Sequence, residues 1–326
     1  MTRARIIGVG AYAPKRILTN ADLEKIVATS DEWIVQRSGI RERRIADETE
    51  ATSDLAVKAA QQALERANLM PDDVDFIVVG TTSADMQFPS TANYVQYKLG
   101  CGRVGSVDVW AACTGSIYSL SIGAQYIQSG KYRRVLCIGA ETLSRITDWT
   151  DRGTCVLLAD AAGAAVLAPS EGERGFIDAD LYSDGAHWEL LYMPGGGARH
   201  PASHETVDAR MHYARMKGSE VFKIAVRMFT ESAAAILERH GFTAADVDLF
   251  IPHQANLRII EAAAKRLALP MERVFVNLDR YGNTGAASVY VALEEAASAG
   301  RLKPGDLVLL AAFGGGVTWG AALYRW

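Results

Sequence analysis

The 326-residue chain lacks any apolar run long enough for a membrane helix, which needs about 18 consecutive apolar residues. Its first residues, MTRARIIGVGAYAPKR, also lack the apolar core of a secretory signal peptide. The net charge is only −4, without the basic excess that is typical of nucleic-acid-binding proteins. We therefore expect a cytoplasmic protein that binds neither a membrane nor nucleic acid.

Cysteine is scarce as well, with four residues: Cys101, Cys113, Cys137 and Cys155. No two of them form a CxxC pair, and no histidine stands at zinc-finger spacing from them. Disulfides are not expected in a reducing compartment. His200 and His204 are four residues apart, but the intervening proline argues against a helix that presents both, so we interpret this stretch as a polar loop without a metal.

Strand-like and helix-like segments alternate along the chain. The strand-like runs include DFIVVGTT (75–82) and RRVLCIGAE (133–141). Between such runs lie helical patterns such as residues 51–69, for which Thr52 or Ser53 is the predicted N-cap. This alternation predicts an α/β fold. With 49% hydrophobic residues, the chain can fill one large or two medium cores.

The second half of the chain repeats the first. LERANLMPDDVD (64–75) aligns with LERHGFTAADVD (237–248) at an offset of 173, and CTG (113–115) aligns with NTG (283–285) at an offset of 170. Matches in the same order indicate an internal duplication. We place the halves at 1–172 and 173–326, with the boundary in SEGERG. Residues 183–213 break the pattern, and a loop of this length is typical of a lid or binding loop.

Three candidate functional residues stand at predicted strand ends or helix starts, where functional groups gather in α/β folds. Cys113 begins a helix, His253 follows DLFIP, and Asn283 aligns with Cys113 in the repeat. A lone cysteine is most often a small buried hydrophobe. At a helix N-terminus, however, we expect a lowered thiol pKa and a nucleophile. A thiolate with two hydrogen-bond donors suits attack on a thioester and stabilisation of an oxyanion or enolate.

The stretches DVWAACTGS (108–116), FIPHQANLRII (250–260), RYGNTGAAS (280–288) and AFGGGVTWGAAL (312–323) resemble the β-ketoacyl-[acyl-carrier-protein] synthase III family. The resemblance implies a thiolase-like fold, internally duplicated, with a five-layered α-β-α-β-α architecture. It implies transfer of an acyl group from acyl-coenzyme A to the enzyme. A decarboxylative Claisen condensation with malonyl-acyl-carrier protein would follow and start fatty-acid synthesis without a cofactor.

The resemblance also implies roles for individual residues. Cys113 would be the nucleophile, His253 and Asn283 the donors to the malonyl thioester, and the backbone N–H groups of Cys113 and Gly315 the oxyanion hole. The coenzyme A site would comprise the following residues: Trp33 and Arg152 around the adenine, and Arg37, Gly218 and Asn256 along the tunnel.

Two protein partners are implied. Phe88 would cross the interface of a homodimer and cap the partner's acyl pocket. An acidic carrier protein would dock on the basic side chains of Lys223, Arg258, Lys265 and Arg266, for which a solvated helix face is the alternative.

Some residues depart from the family's habit, notably Thr114, Ser116 and Gly285, and these leave the primer acyl group open. One alternative function is a condensing enzyme or acyltransferase of secondary metabolism with a different acceptor. Another is a non-catalytic acyl-coenzyme A-binding chain, against which the intact Cys113, His253 and Asn283 argue.

Overall fold

The computed structural model describes residues 2–326 of the chain. The strands are β1 (Arg3–Tyr12), β2 (Arg16–Thr19), β3 (Glu42–Ile45), β4 (Phe76–Gly80), β5 (Gly105–Val109), β6 (Val135–Thr142), β7 (Asp160–Ser170), β8 (Gly175–Ser183), β9 (Leu191–Tyr192), β10 (Arg215–Met216), β11 (Leu249–Pro252), β12 (Leu307–Gly314) and β13 (Thr318–Arg325). The helices are α1 (Asn20–Leu23), α2 (Asp31–Ser38), α3 (Thr52–Arg66), α4 (Thr91–Leu99), α5 (Gly115–Gln128), α6 (Arg152–Cys155), α7 (His204–Asp208), α8 (Gly218–Arg239), α9 (Leu257–Arg266), α10 (Leu278–Tyr281) and α11 (Ser288–Ser298). None of these helices is both long and apolar enough to cross a membrane.

Two sheets form the frame of the molecule. The first has the strand order β1-β7-β6-β4-β5 and the second the order β11-β12-β13-β8. Strands β4, β5 and β6 run parallel to one another, as do β11 and β12. The carboxyl ends of these parallel strands are therefore the expected place for functional side chains. The predicted boundary between the halves, 172/173, lies in the turn between β7 and β8.

The layers follow from which helices pack on which sheet. Helices α5 and α11 share one apolar core with strands of both sheets, so they form the middle layer. Helices α3 and α4 cover the outer face of the first sheet, and α8 and α9 cover the outer face of the second. This arrangement confirms the predicted five-layered architecture.

The duplication is visible in the element boundaries. The 3-10 helices at Pro71–Asp73 and Ala244–Asp246 differ by 173 residues, as do the starts of β4 and β11. The same offset relates the 3-10 helices Ala112–Thr114 and Gly285–Ala287, which lead into α5 and α11. Cys113 therefore corresponds to Ala286. The predicted correspondence between Cys113 and Asn283 in the repeat is therefore wrong by three residues. A short match of residue types does not determine the register of the repeat.

The predicted N-cap of α3 is also wrong. The cap residue is Ala51, and the helix begins at Thr52. The Thr52 hydroxyl lies 2.7 Å from that of Thr142, and the Ser53 hydroxyl donates to Asp85 at 2.6 Å. These side chains therefore tie the helix to the end of β6 and to the loop after β4 instead of capping it.

Candidate active site

A cavity of about 610 Å³ brings together three of the side chains that the sequence selected. Cys113, His253 and Asn283 all line it. Cys113 follows β5, His253 directly follows β11, and Asn283 precedes the 3-10 helix that leads into α11. Each comes from a different strand end or helix start, which is how α/β folds assemble a site.

The turn that carries Cys113 is constrained. Ala112, directly before it, has a φ of 46°, a left-handed conformation that non-glycine residues seldom adopt. Gly314, at the end of β12, packs against this turn, and a Cβ atom at Gly314 would lie 2.6 Å from the backbone nitrogen of Cys113. Only glycine allows the two backbones to approach so closely. The glycine-rich stretch thus fixes the position of the nucleophile's own N–H group.

The predicted lowering of the Cys113 pKa is wrong for the free enzyme. The residue keeps partial exposure toward the cavity. Burial nevertheless raises the pKa of its thiol to about 12, and the negative charge of Glu141 adds to the rise. A hydrogen bond from the backbone N–H of Cys113 opposes the rise but is smaller than the effect of desolvation. The thiol is therefore neutral at physiological pH.

His253 is buried, and both its backbone N–H and its ring nitrogen Nδ1 are hydrogen-bonded. Its backbone N–H donates to the Ala311 carbonyl at 2.8 Å, and its Nδ1 lies 2.6 Å from the Ser288 hydroxyl. Burial lowers the pKa of the imidazole to about 4, so the ring is neutral. The next residue, Gln254, is clamped as well, since its side-chain amide donates to the Pro252 and Phe275 carbonyls.

Asn283 is fixed through its backbone and its side-chain oxygen. Its backbone N–H donates to the Leu157 carbonyl at 2.8 Å, and its carbonyl accepts from Ala159 at 2.9 Å. The side-chain Oδ1 accepts from the Gly285 N–H at 3.0 Å. Because the oxygen is already engaged, the Nδ2 donor is left for the cavity.

Two buried charged residues behind the cavity were not selected from the sequence. Arg43 is fully buried and donates from Nε to the Val156 carbonyl at 3.0 Å, which supports the backbone segment on which Asn283 pairs. Burial lowers the pKa of Arg43 to about 10. Nothing in its local sequence, ERRI, distinguishes this arginine from the half-buried Arg44 beside it, and only its distant contacts do.

Glu141 is the second buried charge. Burial raises its pKa to about 7, although hydrogen bonds from Ser83, Thr82 and Ala286 oppose the rise. The carboxylate accepts from the Ser83 hydroxyl at 2.5 Å. A Cβ atom at Gly285 would lie 2.9 Å from Glu141 Cγ, so Gly285 leaves space for this side chain. Gly285, where the family often has serine, therefore makes room for Glu141 and is not among the residues that line the cavity.

The remaining cavity wall is largely apolar, with basic and aromatic side chains along it. The guanidinium carbon of Arg152 lies 4.5 Å from the Trp33 ring centroid, and that of Arg37 lies 5.0 Å from it. Lys223 and Arg258 also line the cavity, and none of the described lining residues is acidic. Gly218 and Asn256, which the sequence also selected, lie in the same wall.

Several selected residues lie outside this lining. They are Gly315, Phe88, Lys265 and Arg266. Phe88 is 83% exposed, and Lys265 and Arg266 are exposed at the end of α9. Thr114 and Ser116 are buried outside the lining too, and the Thr114 hydroxyl lies 3.0 Å from that of Thr318. From segment 183–213, Leu191 reaches the cavity.

Family models and related proteins that match this chain belong to one family. Residues 107–185 match the family model of 3-oxoacyl-[acyl-carrier-protein] synthase III, and residues 237–326 match the model of its C-terminal part. A β-ketoacyl-[acyl-carrier-protein] synthase III of Caldanaerobacter subterraneus is 54% identical, over 99% of this chain and 98% of that protein.

Solved structures that resemble this chain include members of the same family. The 3-oxoacyl-[acyl-carrier-protein] synthase III of Aquifex aeolicus superposes with a TM-score of 0.92 and is 49% identical, with 99% of this chain and 100% of that chain covered. The priming β-ketosynthase of the R1128 polyketide pathway has a TM-score of 0.91 but only 33% identity, over 99% of this chain and 96% of that chain. The secondary-metabolism alternative is therefore not favoured. The chain belongs to the 3-oxoacyl-[acyl-carrier-protein] synthase III family, the thiolase-fold condensing acyltransferases of fatty-acid biosynthesis.

Proposed function

We propose that the enzyme works in two half-reactions on Cys113. In the first, the Cys113 sulfur attacks the thioester carbonyl of an acyl-coenzyme A. Cys113 releases its proton to solvent and attacks as the thiolate, the carbon–sulfur bond to coenzyme A breaks, and the departing coenzyme A thiolate takes up a proton. The N–H groups of Cys113 and Gly315 stabilise the oxyanion of the tetrahedral intermediate.

In the second half-reaction, malonyl-acyl-carrier protein loses CO₂ and forms an enolate. His253 and Asn283 donate hydrogen bonds to the developing enolate oxygen. The enolate carbon attacks the acyl carbonyl on Cys113, and 3-oxoacyl-acyl-carrier protein leaves. Cys113 departs as a thiolate and takes a proton from solvent. Because thiol, imidazole and amide groups suffice for each step, the reaction as proposed needs no cofactor.

One observation carries this proposal: a single cavity holds a thiol, a neutral imidazole and an amide whose oxygen is already engaged. Neutral donors suit an enolate, because they stabilise the negative oxygen without titrating during the reaction. The absence of acidic groups among the described lining residues favours a negatively charged substrate as well.

Coenzyme A would enter along the basic wall. We place its adenine between Trp33 and Arg152, and its phosphates and pantetheine arm near Arg37, Gly218 and Asn256. A base stacked on both faces needs roughly 7 Å between the flanking planes. The Arg152 side chain therefore has to move away from the indole when the nucleotide binds.

The carrier protein would approach the same opening. Lys223 and Arg258 line the cavity, and Lys265 and Arg266 extend the positive charge along α9. A local basic surface attracts an acidic partner even when the net charge of the whole chain is negative.

We further propose a homodimer formed through β5. This strand is an edge of its sheet and pairs only with β4 among the described strands. Val107 is exposed on β5, and Trp110 is exposed just after this strand. Phe88 is exposed shortly before α4, and α4 packs on β5. An exposed apolar edge strand is a template for pairing with a second chain.

Intact-mass measurement tests the proposal. The wild-type protein is exposed to acetyl-, longer straight-chain, branched and aromatic acyl-coenzyme A, and the acyl groups it retains report both nucleophile and primer. We expect Cys113→Ala to retain none and His253→Ala to be acylated without condensing. Cys101→Ala, which removes a buried cysteine outside the cavity lining, is the matched control. An acyl adduct on Cys113→Ala, or normal condensation by His253→Ala, would contradict the assigned roles.

A further inference from the structure

The Ser288 hydroxyl is hydrogen-bonded to the His253 ring, and only one position of the hydroxyl proton satisfies both groups. Ser288, the first residue of α11, is buried. Its Oγ lies 2.6 Å from His253 Nδ1 and accepts from the Gln254 backbone N–H at 3.3 Å. Among the described residues, no other hydrogen-bond partner of this hydroxyl is found.

The direction of the short hydrogen bond follows from the number of protons. A backbone N–H can only donate, so the Ser288 oxygen accepts from Gln254. The hydroxyl proton then has one acceptor within reach, the Nδ1 lone pair of His253. In the opposite arrangement, Nδ1–H would donate to Ser288. The serine proton would then be buried without an acceptor, which folded proteins avoid.

We propose that Ser288 is a positioning residue that holds His253 in the tautomer with its proton on Nε2. The ring then presents an N–H donor, rather than a lone pair, to the cavity. Burial lowers the pKa of His253 to about 4, so the ring carries a single proton and its location decides which nitrogen can donate. Gln254 fixes the position of the serine oxygen through its N–H and is itself clamped by two backbone carbonyls.

The consequence for catalysis rests on the proposed function. An enolate oxygen facing Nε2–H is stabilised, whereas one facing an Nε2 lone pair is repelled. Ser288 would therefore matter for the malonyl half-reaction and not for acylation of Cys113. The side chain acts through His253 and does not itself line the cavity.

The tautomer can be measured without any substrate. In ¹⁵N-histidine-labelled enzyme, with the His253 signals assigned by their loss in His253→Ala, we expect a protonated Nε2 and an unprotonated Nδ1. In Ser288→Ala, we expect the Nδ1-protonated form to become populated. A protonated Nδ1 in the wild-type enzyme would overturn the proposal, as would an unchanged tautomer in Ser288→Ala. The wild-type measurement decides even if that variant fails to fold.

Kinetics of the two half-reactions test the consequence. We expect Ser288→Ala to slow malonyl decarboxylation about 10- to 100-fold, the loss typical when a partner that orients a metal-ligating histidine is removed. Acylation of Cys113 should remain unchanged, and Ser288→Thr, which keeps the hydroxyl, should restore decarboxylation. Ser232→Ala is the control, because Ser232 is a buried serine whose hydroxyl, among the residues that the structure describes, donates only to the Phe229 carbonyl.

The two experiments separate the two proposals. If Ser288→Ala shifts the tautomer and decarboxylation stays fast, Ser288 sets the tautomer but His253 is not the donor to the enolate. If decarboxylation slows while the tautomer stays on Nε2, the assignment of Ser288 is wrong and the role of His253 stands.

Discussion

The Arg152 guanidinium lies against the face of Trp33, with 4.5 Å between the guanidinium carbon and the ring centroid. Arg37 approaches the same ring, at 5.0 Å. Cation–π contact stabilises this arrangement. In the proposed complex, a purine between the two planes would exchange that contact for stacking on both of its faces.

Trp33→Ala should weaken recognition of the nucleotide without affecting the chemistry. Stacking of a base on an aromatic side chain contributes about 1–3 kcal/mol, so we expect KM for acyl-coenzyme A to rise at least about fivefold with little change in kcat. The control is a substrate: an acyl thioester of N-acetylcysteamine lacks the adenine and should acylate the variant and the wild-type enzyme equally. A matching loss with that substrate would assign Trp33 a structural role instead.

Gly314→Ala should slow acylation strongly while the protein remains folded. The added Cβ would lie 2.6 Å from the Cys113 nitrogen, so the turn that holds the oxyanion-hole N–H has to move. Loss of one such donor lowers the rate about 10²- to 10³-fold. Gly197→Ala is the matched control, because nothing lies within 4 Å of a Cβ there and its φ is not positive. Single-turnover acylation and circular dichroism measure the two effects separately.

Acylation should accelerate with pH. The pKa of the Cys113 thiol is raised to about 12. Because the thiolate is the nucleophile, its fraction grows about tenfold per pH unit below that value. We expect the single-turnover acylation rate to rise steadily between pH 6 and 9. Decarboxylation by pre-acylated enzyme should depend less on pH over this range, since the pKa of His253 is lowered to about 4. A plateau of acylation above pH 7 would show that substrate binding lowers the thiol pKa.

The sequence alone predicted the α/β class, the duplication, the strand ends that carry Cys113 and His253, and the helix start that carries Asn283. These depend on local periodicity and on residues close to one another in the chain. The motifs also implied the layered architecture and the activity. The register of the repeat was missed, because the offset of 170 between CTG and NTG differs from the 173 that relates the elements.

What the sequence did not reveal depends on contacts between distant segments. Ser288 meets His253 across 35 residues, and Glu141 meets Gly285 across the two halves of the chain. A run of three glycines does not indicate which one packs against Cys113. The thiol pKa was predicted from the helix terminus alone, whereas desolvation, which depends on the assembled cavity, decides its direction.

Val107→Lys should disrupt the proposed homodimer. Val107 is exposed in the middle of edge strand β5, with Trp110 60% exposed just beyond the strand. A lysine on an edge strand opposes pairing with a second chain, because the charge would be buried in the interface. We expect light scattering to show a shift from dimer toward monomer. Met271→Lys, which places the same charge at an exposed apolar residue of the other half, should leave the wild-type mass unchanged. A dimer that persists in Val107→Lys and in Trp110→Lys would place the interface elsewhere.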